Sequence, residues 1–178
     1  MPEFVLALRI LLIGVLVVAG VGKVRSSAAF QAAADSLPAA ALSLPGWLGP
    51  RVLATLLVAA ELITAGALVL WTSAIGFALS TALFLVMTSS LAKLVHDGAD
   101  ARCRCFGTDS GVLSGRHVVR AAALMAAGAL GWILQTVAHP GLPVTMTGAG
   151  AAVGGVMAAT VIINWDLLVY LRTPAAAS

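Results

Sequence analysis

Long apolar stretches separated by polar segments dominate this chain of 178 residues. A helix needs about 20 mostly apolar residues to cross the hydrocarbon core of a bilayer. Five stretches qualify, and each contains at most two charged side chains: residues 4–24, 52–71, 74–92, 118–138 and 144–170. The pattern predicts an all-α integral membrane helical bundle of about five transmembrane helices, a four-helix core plus one, in a single domain over residues 1–178.

The segments between the predicted spans differ in length. We expect a tight turn at residues 72–73, and residues 139–143 contain two prolines that interrupt a helix. The connection formed by residues 25–51 is longer, and its sequence predicts a short interfacial helix around 27–37. Residues 96–115 form a polar segment that contains the cysteines, and we name it the redox loop.

Composition supports a membrane location and excludes one class of partner. Hydrophobic residues make up 61% of the chain and charged residues 10%, whereas a soluble domain has roughly 25% charged residues. These charged residues are too few to cover the surface of a soluble protein. We therefore expect the chain to lie in the lipid bilayer of the cell membrane. Nucleic-acid binding requires a face rich in Lys and Arg, and no such face is expected here.

Cys103 and Cys105 are the two cysteines of the chain and stand one residue apart. A disulfide across this spacing is strained, and strained disulfides are more easily reduced. Arg102 and Arg104 are their neighbours, and nearby cations favour the thiolate by lowering the cysteine pKa from about 8.5. The segment therefore favours a reactive dithiol with two thiolate-stabilising arginines.

Other uses of the two thiols stay open at this point. They include a pair of inert free cysteines and a structural disulfide within the loop. A metal site with His96 or His117 is a further alternative, but the histidine spacing matches no compact zinc pattern. We therefore predict no metal ligands.

Most cations gather at one end of the predicted bundle, and Arg9 lies near the other end. The cations of the first group are Lys23, Arg25, Arg51, Lys93, Arg102, Arg104, Arg116, Arg120 and Arg172. The positive-inside rule makes their end cytoplasmic, whereas stable disulfides belong to the opposite compartment. The side of the redox loop therefore stays open, with charge favouring the cytoplasm.

Glu61 lies near the middle of the second span, where a charge costs about 2.5 to 3.5 kcal/mol on insertion scales. It is expected to exchange protons in a redox or transport step, or to act as a polar tie between helices. Arg9 and Lys23 are possible partners, but their expected depths do not match that of Glu61. Lys23 by itself is interpreted as a snorkelling anchor.

Arg120 lies about one turn inside the fourth span, on the cysteine side. It is expected to bind an anionic headgroup, a quinone oxygen or a thiolate, or to snorkel towards the membrane surface. Small residues at 19–22 permit close helix approach, and the glycines of the last span, Gly150, Gly154 and Gly155 among them, are interpreted as packing positions.

Several of these features occur together in one known family. They are the segments Ala19-Gly20-Val21-Gly22-Lys23, Glu61-Leu62-Ile63-Thr64-Ala65-Gly66 and Cys103-Arg104-Cys105-Phe106-Gly107, followed by Arg120. From about residue 5 to 135 the chain resembles the MauE/DoxX-like membrane proteins, and most of all the MauE branch. Members commonly have Gly or another small residue between the cysteines, so Arg104 departs from the pattern while both thiols remain.

The resemblance implies a role in disulfide handling with thioredoxin-like partners, as in maturation of the disulfide-rich small subunit of methylamine dehydrogenase. We extend the thiol chemistry to this chain and leave the metabolic pathway aside. The leading hypothesis is a membrane thiol–disulfide oxidoreductase with Cys103 and Cys105 as its redox couple. It exchanges electrons with a thioredoxin-like protein, a membrane quinone or both. Lys23, Glu61 and Arg120 are expected to line the quinone site, with Glu61 supplying protons.

Two alternatives to this hypothesis remain from the sequence. One is a non-enzymatic assembly factor that docks a thioredoxin-like protein, with a loop disulfide that only shapes its surface. The other is a small proton-coupled carrier that uses Glu61. Five spans without a detectable inverted repeat do not match the common transporter plans.

Overall fold

The computed structural model describes residues 2–25, 50–70, 74–96, 115–138 and 146–164. They form five helices: α1 (Pro2–Arg25), α2 (Pro50–Leu70), α3 (Ile75–His96), α4 (Gly115–Ala138) and α5 (Met146–Ile163). These residues contain no strand. The predicted all-α membrane bundle is confirmed.

Four of the helices are long and apolar enough to cross a bilayer. Their candidate spans are Glu3–Arg25, Arg51–Leu70, Ile75–His96 and Gly115–Val137. In α5 the apolar stretch Ala149–Ile163 is shorter, and the predicted fifth span, 144–170, continues past the described part of the chain. The protein is therefore a multi-pass membrane protein with four candidate spans among its described residues.

Helix α1 is the centre of the bundle, because it packs against α2, α4 and α5. Helices α3 and α4 form the most extensive helix pair, and α2 also packs on α3. The core between them is aliphatic and aromatic, and its most deeply buried side chains are Leu12, Val15, Leu16, Leu68, Phe77, Phe84 and Leu124. Large apolar side chains also cover the outside of the helices, as expected where lipid replaces water around a bundle whose backbone bonds are satisfied within each helix.

Glycines set the register between α3 and α4. A Cβ atom at Gly131 would collide with the Phe77 ring, and a Cβ atom at Gly128 would lie 2.8 Å from the Thr81 hydroxyl. Residue numbers fall along α4 as they rise along α3, so the two helices are antiparallel. Their facing ends, His96 and Gly115, are the two ends of the redox loop.

Close packing also sets the register of α5 on α1. A Cβ atom at Gly155 would lie 2.7 Å from the Ala7 carbonyl oxygen, and one at Gly14 would lie 3.2 Å from the Ala159 Cβ. Residue numbers rise together along both helices, so α1 and α5 are parallel. Parallel first and fifth helices are the arrangement that successive crossings of one bilayer produce.

The other glycines of α5 do not pack in this way. Among the described residues, no heavy atom would lie within 4 Å of a Cβ atom at Gly150 or Gly154, and both glycines are exposed. The interpretation of these two glycines as packing positions is therefore wrong, because they lie on the side of α5 turned away from α1.

Several predicted features lie outside the described residues. They are the turn at 72–73, the interfacial helix at 27–37 and the interior of the redox loop with Arg102, Cys103, Arg104 and Cys105. The statements made about them above stay predictions.

Candidate functional site

A buried ion pair joins α1 to α2. The Lys23 ammonium donates to both carboxylate oxygens of Glu61, at 2.6 Å from Nζ to Oε1 and 2.9 Å from Nζ to Oε2. Both side chains are 1% exposed. The pair is therefore shielded from lipid and water, and each charge meets its opposite at hydrogen-bond distance.

Gly20 makes room for this pair. It lies one turn before Lys23 on the same side of α1, since residues three apart are neighbours on a helix surface. A Cβ atom at Gly20 would lie 3.0 Å from Leu62 Cδ2 and 3.7 Å from Glu61 Oε2. The small residue thus lets α2 approach α1 at the level of Glu61, where the lysine can reach the carboxylate.

The structure corrects the expectation that Lys23 and Glu61 lie at different depths. The two residues would lie at different depths if α1 ended and α2 began at one level. Gly20 lies opposite Leu62, and distances towards the redox-loop end follow from a rise of 1.5 Å per residue. Measured from this level, α2 begins about 18 Å nearer that end, whereas α1 ends only about 8 Å nearer it. Because α2 starts about 10 Å farther out, its middle meets the end of α1. Lys23 is consequently an internal partner of Glu61, and its interpretation as a snorkelling anchor is wrong.

Arg120 lies in the same half of the bundle as Lys23. The Arg9 guanidinium and Gly131 both contact Phe77, which gives α1 and α4 a common reference level. From there Lys23 is 14 residues, or about 21 Å, towards the redox loop, and Arg120 is 11 residues, or about 16 Å. Both cations therefore lie in the half of the bundle nearer the redox loop, and their helices pack on each other.

His117 lies in the same half of the bundle. It precedes Arg120 by three residues on α4, and each of the two side chains is 8% exposed. We name Lys23, Glu61, His117 and Arg120 the loop-end layer. The sequence suggested His117 only as a metal ligand, although its spacing from Arg120 is the signal that places both on one side of α4. No group of three or more His, Cys, Asp or Glu side chains suited to a metal is found among the described residues, which do not include the cysteines.

The opposite half of the bundle also contains a buried cation. Arg9 is 6% exposed, and its guanidinium carbon lies 5.5 Å from the centroid of the Phe77 ring. Phe77 is fully buried. A guanidinium at this distance is attracted to the negative face of the ring, so Arg9 is stabilised by an aromatic group.

The fold and this layer define a small all-α membrane protein with an ion pair enclosed between its first two helices. The family model described as methylamine utilisation protein MauE matches residues 1–134. The chain therefore belongs to the MauE family, which confirms the resemblance. The match extends from α1 into the last turns of α4 and ends before α5. Among curated proteins and among solved structures no match is found.

Proposed function

We propose that this MauE-family membrane protein is a thiol–disulfide oxidoreductase whose redox couple is Cys103 and Cys105. The observation that carries the proposal is the position of the dithiol between two packed antiparallel helices with cationic ends. Exposed Lys93 lies in the last turn of α3, exposed Arg116 is the second residue of α4, and buried Arg120 follows one turn later. Cations near a thiol favour the thiolate, which is the attacking species in exchange.

The reaction is a two-electron exchange between sulfur atoms. One cysteine thiolate attacks a disulfide sulfur of the partner, forms a mixed disulfide and releases the partner's first thiolate. The second cysteine thiolate attacks its neighbour's sulfur, which closes the Cys103–Cys105 disulfide and releases the partner's second thiolate. The partner gains two electrons and binds the two protons that the dithiol gives up. The same steps in reverse oxidise a partner dithiol. Arg102 and Arg104 would stabilise the thiolates in either direction.

A thioredoxin-like protein, a membrane quinone or both are the proposed redox partners. A bound quinone would accept two electrons and two protons. Lys23, Glu61 and Arg120 suit the ends of such a molecule, since ammonium and guanidinium groups donate hydrogen bonds and a carboxylate accepts them. Support comes from the position of Lys23 and Arg120 in the half of the bundle nearer the redox loop. The proposed site lies in the cell membrane, on the redox-loop side.

Trapping of the mixed disulfide tests the proposal. Each single variant, Cys103→Ser and Cys105→Ser, leaves one thiol that attacks but has no resolving partner, so at least one of them should accumulate a disulfide-linked partner. The double variant C103S/C105S is the matched control and should trap nothing. Non-reducing gels followed by mass spectrometry read the outcome. If neither single variant traps a partner and the double variant functions normally, the cysteines are not a redox couple.

Thiol labelling in intact cells determines the side of the loop. A membrane-impermeant maleimide is applied before and after mild reduction, and the mass shift on the two cysteines is measured. Labelling of intact cells only after reduction means an outward-facing oxidised pair, which would contradict the charge-based orientation. Labelling only after lysis places the loop in the cytoplasm. Thiols that label fully without reduction would argue against a resting disulfide.

The two alternatives predict other mutant phenotypes. For a non-enzymatic assembly factor, C103S/C105S would retain partner docking and client maturation. For a proton-coupled carrier, Glu61→Gln would abolish function while C103S/C105S would not. Our proposal predicts instead that C103S/C105S loses client maturation, because maturation needs the dithiol itself.

A further inference from the structure

We infer that Arg9 forms a lipid-binding site at the end of the bundle opposite the redox loop. Its buried guanidinium binds the phosphate of an anionic phospholipid from that leaflet of the membrane. The site is separate from the Lys23–Glu61 pair and uses none of the chemistry of the cysteines. It therefore stands or fails independently of the proposed function.

The first step is the unbalanced charge of Arg9. The residue is 6% exposed, and its buried Nε atom has no hydrogen-bond partner among the described residues. An arginine side chain stays protonated in proteins and only donates hydrogen bonds. The Phe77 ring, 5.5 Å from the guanidinium carbon, attracts this cation, but a neutral ring does not cancel its charge. Because a charge within a membrane span is costly without a counter-charge, the guanidinium is suited to bind an anion.

The second step concerns the carboxylates of the chain. Glu61 is already paired with Lys23. Glu3 precedes Arg9 by six residues, about 9 Å along α1 and about 120° around its axis, so it lies on a different side of the helix. The five aspartates belong to segments that begin at the redox-loop ends of α1, α3 and α5, and they are Asp35, Asp97, Asp100, Asp109 and Asp166. We therefore expect the counter-charge of Arg9 to come from outside the chain.

The third step is access from the membrane surface. Helix α3 begins two residues before Phe77, and a Cβ atom at Gly76 would lie 3.1 Å from the Leu68 Cα atom, so α2 ends and α3 begins near the level of Phe77. Helix α1 continues for seven residues beyond Arg9, and α4 for seven residues beyond Gly131, which is about 10 Å in each case. These two helices extend about 7 Å farther than α3. The described helices thus form a step at which a lipid headgroup can approach the level of Arg9.

The fourth step is the chemistry of the ligand. A guanidinium binds phosphate oxygens through two parallel hydrogen bonds, and the single negative charge of a phosphodiester cancels the charge of Arg9. Phospholipids supply this group at the membrane surface, and extension of the arginine side chain with local thinning of the bilayer brings the two together. Phosphatidylglycerol has no cation in its headgroup, whereas phosphatidylcholine sets an ammonium beside its phosphate. The site therefore favours an anionic lipid over a zwitterionic one.

Fluorescence quenching at Trp132 tests the site in the leaflet concerned. Trp132 is 46% exposed and follows Gly131, whose packing against Phe77 places it near the level of Arg9. The full-length chain is reduced to this one tryptophan by the substitutions W47F/W71F/W165F. It is reconstituted in phosphatidylcholine bilayers that contain increasing amounts of phosphatidylglycerol brominated near the headgroup. From the quenching we expect about a fivefold preference for phosphatidylglycerol.

Substitutions then identify the charge that carries the preference. Arg9→Met keeps much of the side-chain volume without the charge and should abolish the preference, with Arg9→Gln as a second neutral variant should Arg9→Met not fold. Arg9→Lys keeps the charge and should retain most of it. Arg25→Met, which removes an exposed cation at the redox-loop end, is the matched control and should leave the preference at Trp132 unchanged.

Several outcomes would overturn the inference. One is an unchanged preference in the neutral variants of Arg9, and another is an equal loss in Arg25→Met, which would indicate diffuse surface charge. A loss in Arg9→Lys as complete as that in Arg9→Met would show that the charge does not bind the lipid. Inorganic phosphate added to the medium should not compete, because the site is entered from the bilayer. Competition by inorganic phosphate would assign the site to a soluble anion and exclude the lipid as its source.

Discussion

Helix α1 carries two buried cations that the bundle stabilises in different ways. Lys23, near the redox loop, lies against a carboxylate at 2.6 Å, whereas Arg9, in the other half, lies over an aromatic ring at 5.5 Å. The two residues are 14 positions apart, which places them about 21 Å apart along the helix and about 40° apart around its axis. One side of a single helix therefore directs both charges into the bundle.

The difference shows how strongly each half depends on a particular partner. An ion pair needs its opposite charge at a defined place, and removal of one partner leaves an uncompensated buried charge. A cation over a ring depends on a neutral group, so loss of the cation leaves only an aromatic side chain among apolar neighbours. We therefore expect the loop-end layer to be sensitive to single substitutions and the Arg9 region to be more tolerant.

The largest expected effect is at Glu61. Glu61→Gln leaves Lys23 without its counter-charge and should lower the free energy of unfolding by about 3 to 5 kcal/mol, whereas K23M/E61L should cost much less than either single change. Unfolding by SDS in mixed micelles, followed by circular dichroism, measures both. A double variant as unstable as Glu61→Gln would mean that the charges do not act as a pair.

The next effect concerns the ring beneath Arg9. Gly131→Ala places a Cβ atom into the Phe77 ring, and overpacking of this kind costs about 1 to 3 kcal/mol. The same unfolding assay applies, with Gly154→Ala as the matched control because that position faces open space. Equal effects at the two glycines would show that the Phe77 ring moves aside freely.

Arg9 itself should matter less than Glu61. Arg9→Met removes the cation from the Phe77 ring while keeping much of the side-chain volume. The expected loss is about 0.5 to 2 kcal/mol, the range for exposed to desolvated cation–π contacts. A loss as large as that of Glu61→Gln would contradict the comparison between the two halves.

The smallest effect is expected for Arg25, an exposed cation two residues after Lys23. Arg25→Met should change the free energy of unfolding by no more than about 0.5 kcal/mol, as for most surface substitutions. Comparison of Arg25→Met with Lys23→Met in the same micelles tests whether burial of the cation decides how far its loss lowers the free energy of unfolding. A large loss here would indicate that the exposed face of α1 near the redox loop is packed against something in the folded protein.

The register of the helices limited how much of the site the sequence could predict. Glu61 was identified because a carboxylate in an apolar span is costly, and Arg120 because of its place at the head of the fourth span. The partner of Glu61 was missed, since periodicity gives the position of a residue within its own helix and not the offset between two helices. His117 was missed as a buried residue because a histidine near the start of a span is usually at the membrane surface.

The sequence by itself determined the all-α membrane class, the approximate spans and the MauE family, because apolar length and local motifs are properties of contiguous residues. Only the tertiary structure decided that Lys23 meets Glu61, that Arg120 and His117 are buried, and that Gly155 packs while Gly150 and Gly154 do not. These outcomes depend on the stagger and rotation of helices that are far apart in the chain. Close contacts at small residues such as Gly20 and Gly131 fix that stagger, and the same glycines on a different side of their helices would have produced a different site.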